Sequence, residues 1–352
     1  MKVGIYGFEN EGLLGVLFTS AQHLGYDVKW RRHDVFTADQ TEDFNMVIIN
    51  GLRKQYRVIR DAYNAKGIPV VVSDLGYMNR ALGYYQVGLN QLGWVPAFRC
   101  QSDRYKQQGI AYKPFQFNKN GHVLVCGQMP GDAAHNLDED GLKAFFENTI
   151  AEIRKNTNKK IVWRPHPSAQ FAITGADETS TKEQLADDLA GCAFMVTYNS
   201  TSGIGALLAG VPVFCSDTAF YKELANDLDF EIPVQYPEEK DFTDFFSRLA
   251  YGQWTLEEIT SGDALKFIQY ALSGKGDIKN DIDSTIPDGE QRSSEPDDTS
   301  PDGTIYPLGS EGSEPALSGD SPDSTYSADE LNGDNSPKTV RKNVTKSSAK
   351  KA

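Results

Sequence analysis

The sequence predicts an α/β protein built from two successive units, each a parallel β-sheet flanked by helices. Short runs of β-branched residues alternate with stretches of helical periodicity, a pattern typical of strand-helix-strand architecture rather than of a β-sandwich. The alternation begins at Lys2 and starts again at His122. We therefore expect one domain at 1–117, a second at 118–254, a helix at 255–273 and a tail at 274–352.

In the first unit, four short runs are predicted to be strands of a doubly wound sheet, because buried parallel strands are apolar on both faces. The runs are Lys2 to Tyr6, Asp27 to Trp30, Met46 to Ile49 and Pro69 to Val72. Helices are predicted between them at about 11–24 and 56–64. This order of elements predicts a Rossmann-like domain.

The second unit repeats the pattern, with a helix at about 139–154 that places Leu142, Phe146 and Ile150 on one face. Its predicted strands are His122 to Cys126, Lys160 to Trp163, Ala193 to Val196 and Val211 to Phe214. A further amphipathic helix is predicted at about 255–272. Two Rossmann-like domains in tandem leave a central cleft between the carboxyl edges of their sheets, where open α/β folds bind ligands.

The last part of the chain has the composition of a disordered tail. Residues 276–352 contain 16 acidic and 8 basic side chains, rich in Ser, Pro, Asp and Gly, and show almost no apolar periodicity. The last six bases, between Lys338 and Lys351, follow the last acid and form a basic tip. Such a tip is suited to contact DNA or another polyanion, although a purely solubilising tail is an equal alternative.

The four cysteines indicate a reducing compartment and no metal site, since no two form a C-x-x-C pair and three lie in or beside apolar runs. They are Cys100, Cys126, Cys192 and Cys215. The N-terminus shows no basic-then-apolar leader, and no run is long enough to span a bilayer. We therefore expect a cytoplasmic protein without a membrane span.

The strongest local signal is the segment from Thr197 to Val213, where a strand leads into small hydroxyl residues and then into an Ala/Leu-rich helix that ends at Gly210. Free backbone N–H groups at a helix start attract anions, and Ser and Thr add donors without blocking a phosphate. Ser200, Thr201, Ser202 and the amide of Gly203 are the predicted phosphate site. The alternative is an ordinary serine N-cap on a tightly packed helix.

Two further loops follow strands and should emerge at the same edge. Arg164-Pro165-His166-Pro167 is a stiff turn that presents an arginine, which can pair with phosphate, and a histidine, which can donate or exchange a proton. Asp132 and His135 lie in the loop after the strand ending at Cys126. Asp132 could deprotonate an acceptor hydroxyl or balance charge as a donor bond breaks. Alternatively, Arg164 to Pro167 is an ordinary surface loop, and Asp132 only caps its turn.

In the first unit, Gly7 to Gly12 is not a G-x-G-x-x-G fingerprint, and Glu9 and Glu11 would repel a pyrophosphate. This disfavours dinucleotide oxidoreduction and favours an acceptor-side role. The segments Asp74 to Arg80 and Tyr84 to Asn90 supply aromatic and amide side chains that could line an acceptor groove.

Several blocks, in order, resemble the capsular-polysaccharide transferases of the β-Kdo transferase type, which have a GT-B-like fold. The blocks are Val125 to Gln128 with Asp132-Ala133, Arg164 to Pro167, Ser200 to Gly203 with Ala206 to Leu208, and Pro212-Val213 with Phe220-Tyr221. Together they cover about residues 120–225. After Phe220-Tyr221 the family usually continues Ala-Gly-Trp-Gly, whereas this chain has Lys222 to Ala225, so the donor sugar stays open.

The resemblance implies a nucleotide-sugar donor and an active-site carboxylate, Asp132. The implied donor-binding residues are Arg164, His166, Ser200, Thr201 and Ser202, to which we add Gln128 and Gly203 from the same blocks. His135, beside Asp132, completes the expected catalytic pair. No cofactor is expected beyond the nucleotide sugar, which is a co-substrate.

The sequence thus predicts a glycosyltransferase that acts on a hydroxyl acceptor. Residues 73–96 also look like proteins encoded by phages. The expected acceptor is therefore either a glycan or, in the host cytoplasm, a hydroxymethylated base of phage DNA. Two alternatives stay open: a sugar-nucleotide epimerase on the same fold, and a non-catalytic nucleotide- or glycan-binding protein.

Overall fold

Two β-sheets form the framework of the protein, whose structure is a computed structural model. The structure describes residues 1–9, 12–115, 118–230 and 234–274, all within one compact unit. The predicted tail and its basic tip therefore lie outside the described residues, apart from Gly274. Residue 117, where the first predicted domain ends, also lies outside them, and the predicted domain limits stay predictions.

The first sheet has a parallel core extended by an antiparallel edge. Its strands are β1 (Lys2–Tyr6), β2 (Asp27–Arg31), β3 (Met46–Asn50), β4 (Val70–Leu75), β5 (Tyr84–Leu89) and β11 (Gln253–Thr255). Their spatial order is β11-β5-β4-β3-β1-β2, with β1 to β4 parallel and with β5 antiparallel to both β4 and β11. Helices α1 (Gly12–His23) and α2 (Lys54–Asn64) connect the parallel strands.

The second sheet is parallel throughout, and its first strand, like that of the first sheet, is an interior strand. Its strands are β6 (His122–Cys126), β7 (Ile161–Arg164), β8 (Glu178–Thr179), β9 (Cys192–Thr197) and β10 (Val213–Phe214), in the order β10-β9-β6-β7-β8. Its helices are α4 (Glu139–Asn156), α5 (Leu185–Leu189), α6 (Ser202–Leu208) and α7 (Glu239–Ala250), while α3 (Asp103–Gln107) precedes it. The predicted α/β class, with two Rossmann-like sheets, is confirmed.

Burial explains why these strands were visible in the sequence. Every residue of β9 is buried, as are four of the five residues of β1, β3 and β6. Helix α4 buries the predicted face, including Leu142, Phe146 and Ile150, and begins where the Asp138 side chain accepts a hydrogen bond from the Gly141 amide at 2.8 Å.

The C-terminal helix is divided in two. Helices α8 (Leu256–Ser261) and α9 (Asp263–Leu272) meet at Gly262, whose φ of +93° breaks the single helix that the spacing predicted. Leu265 and Ile268 of α9 pack in the same cluster as Val3 and Leu17. The end of the described chain therefore packs on the first sheet, beside β11.

The segment Tyr84 to Asn90, predicted to line an acceptor groove, contains strand β5, and this prediction is wrong for the interior residue Gln86. Gln86, Val87 and Gly88 are fully or nearly fully buried in β5. The Gln86 amide nitrogen donates to the carbonyl of Val72 at 3.4 Å, and its oxygen accepts from the Gly93 amide at 2.7 Å. The polar side chain is satisfied inside the sheet and is not available to an acceptor.

The strand order places a ligand-binding crevice at two points. In the first sheet β1 lies between β2 and β3, and in the second sheet β6 lies between β7 and β9, so the chain reverses its direction across the sheet between β1 and β3 and between β6 and β9. Open α/β sheets bind ligands outside the carboxyl ends of such strand pairs. Across the described ranges, no helix has the length and apolar character required to cross a membrane.

Candidate active site

The loops after β6 and β9 are joined by a buried pair of amide side chains. Gln128 belongs to the β6 loop (residues 127–137), and Asn199 belongs to the β9 turn (residues 198–201). The Gln128 nitrogen donates to Asn199 Oδ1 at 2.8 Å, and Gln128 Oε1 accepts from the Asn199 backbone amide at 2.7 Å. Gln128 is 6% exposed, so it positions the two segments against each other instead of facing a ligand.

Asn199 extends this link to the residues predicted to be catalytic. Its Nδ2 donates to the carbonyl of Ala134 at 3.1 Å and to Thr218 Oγ1 at 2.9 Å. Ala134 lies between Asp132 and His135, and therefore the β6 loop is held next to the β9 turn. The structure brings Gln128, Asp132, His135 and Ser200 into adjacent segments, as the sequence predicted for strand ends at one sheet edge.

Asp132 and His135 differ in which of their polar atoms are already used by hydrogen bonds within the protein. Asp132 Oδ1 accepts a hydrogen bond from the Ala134 amide at 2.7 Å, so one oxygen caps the turn. His135 Nδ1 accepts from the Leu137 amide at 2.9 Å, which leaves the proton of the neutral ring on Nε2. Burial lowers the pKa of His135, opposed by the charge of Asp132, and Nε2 itself is buried. His135 supports the β6 loop, and its expected place in a catalytic pair with Asp132 stays a prediction.

The predicted phosphate turn is partly occupied by the protein itself. The Gly203 amide donates to the Ser200 carbonyl at 3.0 Å, and the Ser202 amide donates to Ser200 Oγ at 3.2 Å. The hydroxyl oxygen of Ser202 is buried beside the thiol of Cys126. Within the described residues, the backbone amides of Ser200 and Thr201 have no hydrogen-bond partner. These two amides, with the exposed Thr201 side chain, are the groups of this turn that can still meet an anion.

Arg164 is held by the protein itself at the end of β7. Its Nη1 contacts Asp188 Oδ2 at 2.5 Å, and its terminal nitrogens donate to the carbonyls of Lys182 and Glu183 at 2.9 and 2.8 Å. The side chain is 14% exposed. A donor phosphate would have to compete with a buried carboxylate for this guanidinium, which sequence reasoning could not anticipate.

His166 lies at the end of the same strand and close to the β6 loop. A Cβ built on Gly127 would lie 3.3 Å from the His166 backbone nitrogen, so these two strand ends approach closely. The His166 Nδ1 atom accepts from the Ser168 amide at 3.1 Å, which fixes the ring plane against its own turn. His166 is part-buried, and its predicted donor contact stays a prediction.

Residues of the first sheet approach the β6 loop from the opposite side. Arg57 of α2 donates to the carbonyl of Ala133 at 2.9 Å, and the ring of Tyr77 lies 4.8 Å from the ring of Phe220, which follows β10. At the carboxyl end of β4, the pKa of the Asp74 carboxyl is raised by the charge of Asp132 in the β6 loop. The carboxyl edges of the two sheets therefore converge around Asp74 and Asp132.

Asp74 is the functional candidate to which the sequence analysis gave no chemical role. Burial raises the pKa of its carboxyl group, while the Leu75 amide, Arg80 and Arg53 lower it and Asp132 raises it. The sequence named Asp74 only as part of an acceptor groove. An acid directly after the buried run Val70 to Ser73 was the signal that could have identified it.

Neither a metal cluster nor a cavity marks a second candidate site in the described part of the chain. It contains no group of three or more His, Cys, Asp or Glu side chains that could hold a metal ion. Two open cavities, one lined by Arg99, Cys100 and Thr243 and one by Tyr112 and Phe115, border α7. Neither cavity is lined by a predicted site residue. A cavity without suitable reactive side chains does not define an active site, so the converging strand ends are the candidate site.

No protein-family profile and no curated protein sequence matches the chain. Among solved structures, the β-Kdo 2,7 transferase KpsC of Thermosulfurimonas dismutans is 14% identical, with a TM-score of 0.47 over 76% of this chain and 100% of that chain. The β-Kdo 2,4 transferase KpsC of the same organism is also 14% identical, with a TM-score of 0.47 over 72% and 91%. A UDP-GlcNAc 2-epimerase of Methanocaldococcus jannaschii is 11% identical, with a TM-score of 0.30 over 77% and 100%. The transferases that the sequence blocks resemble are thus among the solved structures that match this chain.

Proposed function

We propose that the protein is a glycosyltransferase that moves a sugar from a nucleotide-sugar donor to a hydroxyl acceptor. The observation that carries the proposal is the contact between the two sheet edges, where Arg57 of α2 donates to Ala133 of the β6 loop at 2.9 Å, beside the carboxylates Asp74 of the first sheet and Asp132 of the second. The β9 turn, with two unpartnered amides, lies next to the loop that bears Asp132. Anion-binding groups beside carboxylates between two sheets suit a phosphate leaving group and a hydroxyl nucleophile.

In this proposal the donor phosphate lies at the amides of Ser200 and Thr201. Backbone N–H groups that point outward from a turn stabilise negative charge as it develops on the departing nucleotide. His166 is a further donor-binding candidate because it lies at the neighbouring strand end. Gln128 acts through Asn199, by holding the β6 loop against the β9 turn.

Asp132 supplies negative charge next to the sugar. Positive charge builds on the anomeric carbon as its bond to phosphate breaks, and a fixed carboxylate stabilises that charge. The turn bond to the Ala134 amide holds Asp132 Oδ1, so the charge is already in place before the donor arrives. The nucleotide sugar is the co-substrate, and the proposed chemistry requires no further cofactor.

A donor screen tests the proposal directly. Thermal stability is measured with CMP-, UDP- and GDP-linked sugars, and nucleotide release is then followed with a glycan and with hydroxymethylated DNA as separate acceptors. A transferase releases nucleotide only with an acceptor present. Conversion of the donor without any acceptor would identify an epimerase, and stabilisation without turnover would identify a binding protein.

For the Asp132→Asn variant we expect kcat to fall by about 10²–10³-fold, the usual loss when one preorganised electrostatic group is removed. The fold should persist because an asparagine oxygen can still accept from the Ala134 amide. The measurement is nucleotide release at saturating donor. Asp140→Asn, on the exposed first turn of α4, is the matched control and should keep full activity. Full turnover by Asp132→Asn would refute the assignment of Asp132.

A further inference from the structure

Asp74 is placed where an acceptor hydroxyl would approach a donor held by the second sheet. It follows the buried part of β4, next to β3, and it belongs to the first sheet, while the proposed donor groups belong to the second. Helix α2, which connects β3 to β4, contacts the β6 loop through Arg57 and the Ala133 carbonyl, and the charge of Asp132 in that loop raises the pKa of the Asp74 carboxyl. In the proposed reaction, the first sheet is the acceptor side, and Asp74 belongs to that side.

Among the described residues, only one of the two carboxylate oxygens of Asp74 has a hydrogen-bond partner. Oδ1 accepts a hydrogen bond from the Leu75 amide at 2.7 Å. Oδ2 has no hydrogen-bond partner among the described residues, and it lies 3.5 Å from the point where a Cβ on Gly51 would stand. Gly51, with a φ of +67°, takes a backbone conformation that favours glycine, and it places no side chain against Oδ2.

The charges around Asp74 come from three other elements. Arg53 precedes α2, Arg80 begins the short 3-10 helix Arg80–Leu82, and Asp132 lies in the β6 loop, while the Tyr77 ring lies in its own loop. The two arginines favour the ionised carboxylate, whereas burial and Asp132 favour the protonated one. A carboxylate under these opposing influences is a stronger base than a freely solvated one.

We propose that Asp74 is the general base of the transfer reaction, and this inference rests on the proposed function. Asp74 Oδ2 takes the proton from the acceptor hydroxyl. The acceptor oxygen forms a bond to the anomeric carbon of the donor sugar, and the bond from that carbon to the phosphate oxygen breaks. The nucleotide leaves with the electron pair of that bond, and the proton on Asp74 is later released to solvent.

For Asp74→Asn we expect the rate of transfer to fall by about 10²–10⁴-fold, the contribution usual for a general base. Donor affinity should stay within about twofold of the wild type, since Asp74 does not belong to the donor side, and this is measured by thermal shift with the donor. Stability should not fall. Burial raises the folded-state pKa of Asp74 above its unfolded value, so ionisation costs stability once the pH exceeds the unfolded pKa, and asparagine removes that cost at neutral pH.

A pH profile provides a second test, which does not depend on whether the Asp74→Asn variant folds. Replacing Arg53 by glutamine removes a positive charge that lowers the pKa of Asp74, so the acid limb of kcat/KM should move to higher pH. Arg60→Gln, inside the helix that Arg53 precedes, is the matched control. Arg60 pairs with Asp61 and does not act on Asp74, so its acid limb should stay in place.

The outcomes separate this inference from the proposed function. If the wild-type protein turns over no nucleotide sugar, the proposed function fails and the inference falls with it. If the wild type transfers sugar and folded Asp74→Asn does so at the same rate, only the inference is overturned. If Asp74→Asn is destabilised, the pH profile decides, and equal acid limbs in Arg53→Gln and Arg60→Gln overturn the inference.

Discussion

Asp188→Ala should lower the free energy of unfolding by about 3–5 kcal/mol, because it leaves the Arg164 guanidinium buried without its counter-charge. Asp188 is 5% exposed, and its carboxylate also accepts hydrogen bonds from Ser180 Oγ at 2.8 and 2.7 Å. Urea unfolding of both proteins measures the loss. Glu152→Ala is the control: Glu152 pairs with Lys155 at an exposed site, and we expect a change within about 0.5 kcal/mol.

This experiment also decides what Arg164 does. If Arg164 is chiefly a structural residue of β7, Asp188→Ala destabilises the protein and donor affinity changes little. If Arg164 is chiefly a donor ligand, removal of Asp188 frees the guanidinium, and donor affinity rises. A loss of stability below about 1 kcal/mol would contradict the structural role, because buried ion pairs broken on one side normally cost more.

The parallel strands could be predicted because their signal is local. Strands β1 and β6 begin and end where the apolar runs Lys2 to Tyr6 and His122 to Cys126 predicted, since a strand buried on both faces must be apolar along its length. Strand β5 has no such run. It pairs with β11, which is more than 160 residues away in sequence, and a pairing of that range leaves no local pattern in the chain.

For the candidate site, the sequence could predict which loops lie together but not which of their side chains are available to a ligand. Loops after parallel strands meet at one edge, which is why Gln128, Asp132 and Ser200 lie in adjacent segments. Whether a polar group in such a loop is available depends on distant partners. Asp188 binds Arg164, and Asn199 binds Gln128 from 71 residues away, and neither contact has a sequence signature. Asp74 was visible as an acid after a buried run, but its role depends on Asp132 across the gap.

Gly203→Ala should destabilise the protein by about 2–3 kcal/mol or more, the cost of forcing an extra carbon into a close-packed interior. A Cβ at this position would lie 2.3 Å from the hydroxyl oxygen of Tyr221 and 2.4 Å from its ring carbon. Tyr221 is fully buried, and its hydroxyl donates to the Ser200 carbonyl at 2.6 Å, so the ring cannot easily retreat. Urea unfolding measures the loss, and donor affinity should fall as well, because Ser200 belongs to the displaced turn.

A second substitution shows whether the clash with Tyr221 is the cause. In a Tyr221→Leu background the hydroxyl and ring atoms that meet the new Cβ are gone, so Gly203→Ala should cost clearly less than it does in the wild type. Such non-additivity is expected for residues in direct contact and not for independent sites. Equal costs in the two backgrounds would mean that Gly203 is required for another reason. A lower cost would show that Tyr221, which also holds the Ser200 carbonyl, is the residue that makes glycine necessary at the start of the helix after the β9 turn.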